Sequence, residues 1–122
     1  MIYEKDLSDK VIGCAITVHK ILGSGFLEKV YEKSLEIELK LNDVNCVSQF
    51  PVKVSYKDNI VGDYYIDLLV ENKIVLELKS CSSLQAIHEA QLYNYLVATG
   101  YKIGYVINFG SHGKLEFKRI VL

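Results

Sequence analysis

Two spacings of hydrophobic residues divide the chain. From Ser8 to Leu22 the apolar residues Val11, Ala15, Val18 and Leu22 recur at helical intervals, which predicts a helix that Gly23 can close. Gly23-Ser24-Gly25 reads as a turn. A second helix is expected from about Leu27 to Leu41, with Leu27, Tyr31, Leu35 and Leu39 stacked at i, i+4 and Asn42-Asp43 ending it. The period then changes. Val52, Val54 and Tyr56 alternate with Lys53 and Ser55, the pattern of a strand with one wet face. Pro51 belongs near that strand's start or on a sheet edge, because it has no N–H to give to a ladder.

Lys57-Asp58-Asn59 reads as a turn, followed by strands over Ile60–Val70 and Ile74–Ser80 joined by a tight turn at Glu71-Asn72-Lys73. Ser82 with Gln85 three residues on resembles a capping box, so a third helix is expected from there to about Thr99, closed by Gly100. Lys102–Phe109 is rich in Ile, Val and Tyr and predicts a fourth strand. Gly110-Ser111-His112-Gly113 turns the chain into a last strand, Leu115–Val121. The order α-α-β-β-β-α-β-β predicts an α/β fold, a mixed sheet flanked by helices.

Composition limits this picture without changing it. A chain of 122 residues, half hydrophobic and 24 % charged, suits one globular domain spanning 1–122. No run reaches the roughly 18 apolar residues of a membrane span. Met1-Ile2-Tyr3-Glu4-Lys5-Asp6 lacks a charged-then-apolar signal layout, so a cytoplasmic protein with no membrane partner is expected. Cys14, Cys46 and Cys81 are odd in number, without metal-ligand spacing, and are expected to be buried reduced thiols. The formal net charge of −1 argues against an avid, sequence-independent DNA binder, although a local basic groove is compatible with it.

The unusual chemistry lies in the most hydrophobic hairpin. Asp67 interrupts Tyr65-Ile66-Asp67-Leu68-Leu69-Val70, and a carboxylate there is costly unless it is paired or binds a cation. Glu77 and Lys79, two apart, share one face of the next strand. If Glu71-Asn72-Lys73 is a three-residue turn, Asp67 faces Glu77; facing carboxylates repel and call for a divalent cation between them. With a two-residue turn, Asp67 would face Leu76 and a bulge would be needed to reunite the pair. The bland alternative is a Glu77–Lys79 or Asp67–Lys79 ion pair that satisfies buried charge. On the following helix Gln91 and Tyr95 lie one turn apart, with His88 one turn earlier on the same face. Glu28 falls in the first turn of the second helix, where the helix dipole alone would favour an acid; Glu32, one turn on, could reach the same end.

Asp67, then Glu77-Leu78-Lys79, then Gln91 and Tyr95 on the next helix resembles the PD-(D/E)xK nuclease superfamily. Within it, Gly25-x-x-Glu28-x-x-Tyr31 looks like the signature of the small GxxExxY family, and the resemblance runs from about Leu7 to Leu122. It implies a restriction-endonuclease-like core and hydrolysis of phosphodiester bonds in nucleic acid, with DNA the expected substrate. It also implies Mg²⁺ or Mn²⁺ held by Asp67, Glu77 and the Leu78 carbonyl, with Glu28 near the metal. Lys79 would orient the attacking water; Gln91, Tyr95 and His88 would support the site or touch substrate. The motif's proline is absent, Tyr65-Ile66 standing before Asp67. Lys53, Lys57, Lys73, Lys102, Lys114, Lys118 and Arg119 are scattered, so the core would need a homodimer or a protein partner to grip a duplex. A catalytically silent or regulatory binding module of the same fold is the alternative.

Overall fold

A computed structural model describes residues 4–122; Met1, Ile2 and Tyr3, part of the N-terminal stretch read above, lie outside the described residues. The elements are α1 (Lys5–Leu22), α2 (Glu28–Leu41), β1 (Cys46–Tyr56), β2 (Asn59–Val70), β3 (Ile74–Lys79), α3 (Ala86–Thr99), β4 (Ile103–Asn108) and β5 (Glu116–Val121). The expected order holds. The strands form one sheet in the order β1-β2-β3-β4-β5. Only β3 and β4 run parallel, because α3 is the crossover between them; every other pair is antiparallel.

The apolar spacing of each helix decides which face it covers. Val11, Ala15 and Val18 of α1 and Tyr31, Leu35 and Leu39 of α2 pack on Leu68, Val70, Leu76, Leu78, Tyr105 and Ile107. On the other face α3 lays Leu92, Tyr95 and Leu96 against Val52, Ile66, Leu69, Val75 and Val106. β3 and β4 are therefore covered on both sides, which explains their nearly continuous hydrophobic runs. Among the described residues, no helix is long and apolar enough to cross a membrane.

Several local expectations shift. Leu27 is not a fourth buried position of α2; it is the residue before the helix and is 81 % exposed. β1 begins at Cys46, six residues before Val52, and carries Pro51 along the sheet edge, where a missing N–H costs nothing. Asn59 already belongs to β2, since Lys57 and Asp58 alone make the turn, both at positive φ. The third helix starts at Ala86, and its capping box joins Gln85 to His88 rather than Ser82 to Gln85. The cause lies in the sheet: Asn108 accepts the Cys81 N–H at 3.0 Å and Glu116 accepts the Leu84 N–H at 2.9 Å, holding this segment out of helical geometry. Gly110 crosses the same segment so closely that a Cβ would stand 2.4 Å from Cys81 backbone atoms. Of the three free thiols only Cys14 is buried; Cys46 and Cys81 sit half-buried on the outer parts of the fold.

Candidate active site

The turn after β2 decides whether a site exists. Glu71 and Asn72 take positive φ, Lys73 N–H closes on Val70 O at 2.9 Å, and Val70 pairs with Ile74. This is the three-residue connection, and it sets Asp67 opposite Glu77. The ladder itself ends at Leu68–Leu76. Beyond it the strands part, and side chains take over the bonding. Asp67 Oδ2 accepts the Leu78 N–H at 2.8 Å, and Glu77 Oε1 accepts the Asp67 N–H at 3.3 Å. Each acid is fixed by the other's strand.

Asp67 is also a pivot. Leu68 and Val70 face α1 and α2, whereas Ile66, with the same parity, faces α3. A regular strand would keep them together. On β1, Gln49 lies across from Asp67 but drops out of the ladder, with φ 53, while Ser48–Leu68 and Phe50–Ile66 pair on either side. A left-handed backbone at such a residue costs about 1–2 kcal/mol. Its amide donates to Glu32 Oε1 at 2.6 Å and reaches Asp67 Oδ1 at 3.5 Å.

Burial sets the electrostatics. Glu77 is only 6 % exposed. Loss of water, then the adjacent Asp67 charge, push its carboxyl up to about 8, against weaker opposing effects of the Asp67 N–H and Lys79. Asp67 is raised too, chiefly by burial, with Glu32 and then Glu28 adding to it and the Leu78 N–H working against it. Lys79 lies half-buried on the same face as Glu77, yet among the described residues it forms no salt bridge with either acid. The bland alternative of a Lys79 ion pair therefore fails: the two acids meet without a protein cation between them.

The helices bring the rest. The Gly23–Leu27 turn is stapled by Tyr31, whose hydroxyl donates to Gly23 O and accepts the Phe26 N–H, while Ser80 Oγ donates to Phe26 O at 2.6 Å. Tyr31 also stacks on Phe109 with ring centres 4.7 Å apart. These contacts tie the start of α2 to the end of β3. Glu28 is consequently near enough for both Asp67 and Glu77 to feel its charge, although its side chain is exposed. Glu32 is the buried acid of α2, ion-paired to Lys29 at 3.1 Å. From α3, Gln91 donates to the Tyr95 hydroxyl at 3.0 Å, and Tyr95 is raised by burial and then by Glu77. His88 is drawn elsewhere: its Nδ1 accepts the Gln85 N–H at 3.1 Å, and its charge is felt by Glu116.

Sequence reasoning thus found Asp67, Glu77, Lys79, Gln91 and Tyr95 together, weighed Glu32 below Glu28, and missed Gln49. Nothing in a polar residue within an alternating strand marks it; only pairing across the hairpin does. Among the described residues, no three His, Cys, Asp or Glu side chains converge on one point, so Glu28 does not join the two acids in a ready-made cage. The Leu78 backbone is expected to turn its carbonyl to the same side as its N–H. A strand residue's N–H and C=O point to the same side, and the Leu78 N–H meets Asp67.

The sequence model described as the PD-(D/E)XK nuclease superfamily matches residues 5–120. No curated protein matches significantly. Among solved structures, the crystal structure of SSO0001 superposes with a TM-score of 0.59 at 20 % identity, covering 77 % of this chain and 50 % of that one. The chain therefore spans about half the length of that structure, and the likeness is one of fold.

Proposed function

The chain belongs to the PD-(D/E)XK nuclease superfamily, and from that premise we propose that it is a divalent-cation-dependent nuclease that hydrolyses phosphodiester bonds, with DNA as its substrate. Nuclease activity is what the superfamily suggests, and its nucleases usually use divalent metals. One observation carries the reading to this chain: Asp67, half-buried, and Glu77, buried, are set together at the parting of β2 and β3, with no bonded protein cation. The donors fit a hard cation such as Mg²⁺ or Mn²⁺, because all are oxygens and such sites use few carboxylates and keep several waters. Gly25, Glu28 and Tyr31 support assignment to the GxxExxY family; two of the three build the turn that presents the third.

In this mechanism Asp67, Glu77 and the Leu78 carbonyl would hold the cation, and Glu28, exposed at the start of α2, lies near enough for both acids to feel its charge. When bound, the cation supplies Lewis-acid polarisation of the phosphate and lowers the pKa of a bound water. Lys79, not committed to an ion pair, orients the attacking water and offsets charge growing on the phosphate. Gln91 holds the Tyr95 hydroxyl at the rim, where the pair can bond the nucleic-acid backbone. His88 serves the cap of α3, its Nδ1 accepting the Gln85 N–H.

The test is cleavage of plasmid and single-stranded DNA by purified protein with Mg²⁺ or Mn²⁺, beside Asp67→Ala and Lys79→Ala. Wild type should cut and both variants should not. Equal cutting by all three would mark a contaminant and remove the proposal.

A second reading, a silent or regulatory module acting as a homodimer or complex subunit, is favoured by a different feature. A groove of about 970 Å³ between the β1–β2 hairpin and α3 is lined by Val54, Val61, Tyr64, Ile87 and Val97. Several of these side chains are more than half exposed, which is unusual for a monomer's surface. Light scattering that gives a dimer mass for a protein with no cutting would favour this reading. The proposal that the protein is cytoplasmic is tested by fractionation.

A further inference from the structure

Gln49 occupies a costly backbone position. It faces Asp67 across the hairpin, leaves the ladder that its neighbours keep, and holds a left-handed backbone at φ 53. Strain of this sort persists only where the surroundings hold it in place. Here the surroundings are two carboxylates. The Gln49 amide donates to Glu32 Oε1 at 2.6 Å and reaches Asp67 Oδ1 at 3.5 Å. The remaining oxygens are engaged as well: Glu32 Oε2 by Lys29 and Asp67 Oδ2 by the Leu78 N–H.

We propose that Gln49 is a positioning residue for Asp67, and that Glu32, the buried acid of α2, acts on the site through Gln49. The inference rests on the reading of Asp67 and Glu77 as cation ligands. An amide suits the task. It has two N–H donors and no charge, so one group can bridge two acids that repel each other. It touches Asp67 Oδ1 without bringing an opposing charge, which leaves the carboxyl open to a cation. A lysine in its place would compete with the cation for Asp67. Gln49 is exposed on the edge strand, and its left-handed backbone takes it out of ladder pairing with Asp67 while its amide reaches both acids. The turn of the β1–β2 ribbon across this position, with Ile66 and Leu68 facing opposite layers, follows from the same departure.

Two readouts separate positioning from ordinary structure: Mn²⁺ affinity by calorimetry and thermal melting, on the metal-free full chain. Gln49→Gly removes the amide but relieves the left-handed backbone. It should keep or raise the melting temperature while weakening Mn²⁺ binding by about 10–100-fold, the usual loss for a group that orients a ligand. Gln49→Leu keeps the strain, so it should weaken Mn²⁺ binding similarly and melt lower. Adding Glu32→Leu to Gln49→Gly should weaken binding by less than about threefold more, since its route to Asp67 is already cut. A further loss of about tenfold would show Glu32 acting directly and overturn the relay. If wild type binds Mn²⁺ and Gln49→Gly binds it equally well, the positioning role is wrong while the metal site stands. If wild type binds no Mn²⁺, the metal site falls and this inference falls with it.

Discussion

Asp67 and Glu77 do not bond each other; each accepts a backbone N–H from the other's strand, Asp67 Oδ2 from Leu78 at 2.8 Å and Glu77 Oε1 from Asp67 at 3.3 Å. The exchange stands where the next ladder bonds of an ordinary hairpin would be. Two side chains thereby take over the work of the backbone, and the two carboxyl groups are held side by side. Like charges are held together by the sheet, which is the condition a cation relieves.

Stability of the metal-free protein should depend on pH through this pair. Glu77 has an ordinary value of 4.5 and about 8 in the fold. The folded state favours its protonated form, so the contribution is complete below the unfolded value and lost as pH rises through the folded one. Asp67 shifts in the same direction. Urea unfolding should show lower stability at about pH 9 than at about pH 6, and Glu77→Gln should flatten the difference. Mn²⁺ should restore stability at the higher pH. Parallel pH profiles for wild type and Glu77→Gln would show that Glu77 is not held protonated.

In the proposed mechanism Lys79 serves catalysis apart from cation binding. It makes no ion pair with the acids, so Lys79→Met should leave Mn²⁺ affinity within about threefold and stability within about 1 kcal/mol. Cleavage should fall by about 100-fold or more, the scale of losing a charge-stabilising group. A matching collapse of Mn²⁺ binding would mean that Lys79 organises the metal site instead.

Tyr31 holds the entry to α2. Its hydroxyl serves both Gly23 O and the Phe26 N–H, and the ring is fully buried against Phe109. Tyr31→Phe should cost about 1–3 kcal/mol, because two part-buried backbone groups, the Gly23 carbonyl and the Phe26 N–H, lose their partner. The turn that carries Glu28 would loosen with it. Denaturation midpoints with an unchanged m-value would measure the loss, and no change would place the hydroxyl's contribution below that of the ring.

The order of elements, the mixed sheet and the Asp67, Glu77 and Lys79 set were legible because local rules govern them. Helical spacing marks α1 and α2, β-branched runs mark β3 and β4, and side chains two apart share a face. A carboxylate inside an apolar strand announces itself, since burial without a partner is so costly. Other features follow from contacts distant in sequence. The start of α3 moved to Ala86 because Asn108 and Glu116 hold the backbone before it. His88 left the site because the cap needed it. Gln49 and Glu32 joined it because β1 pairs with β2 and the hairpin changes face at Asp67. The amino-acid sequence by itself determined which residues could carry charge into the core. Only the tertiary structure decided which of them meet, because meeting depends on strand register, turn length and the competing claims of backbone groups far along the chain.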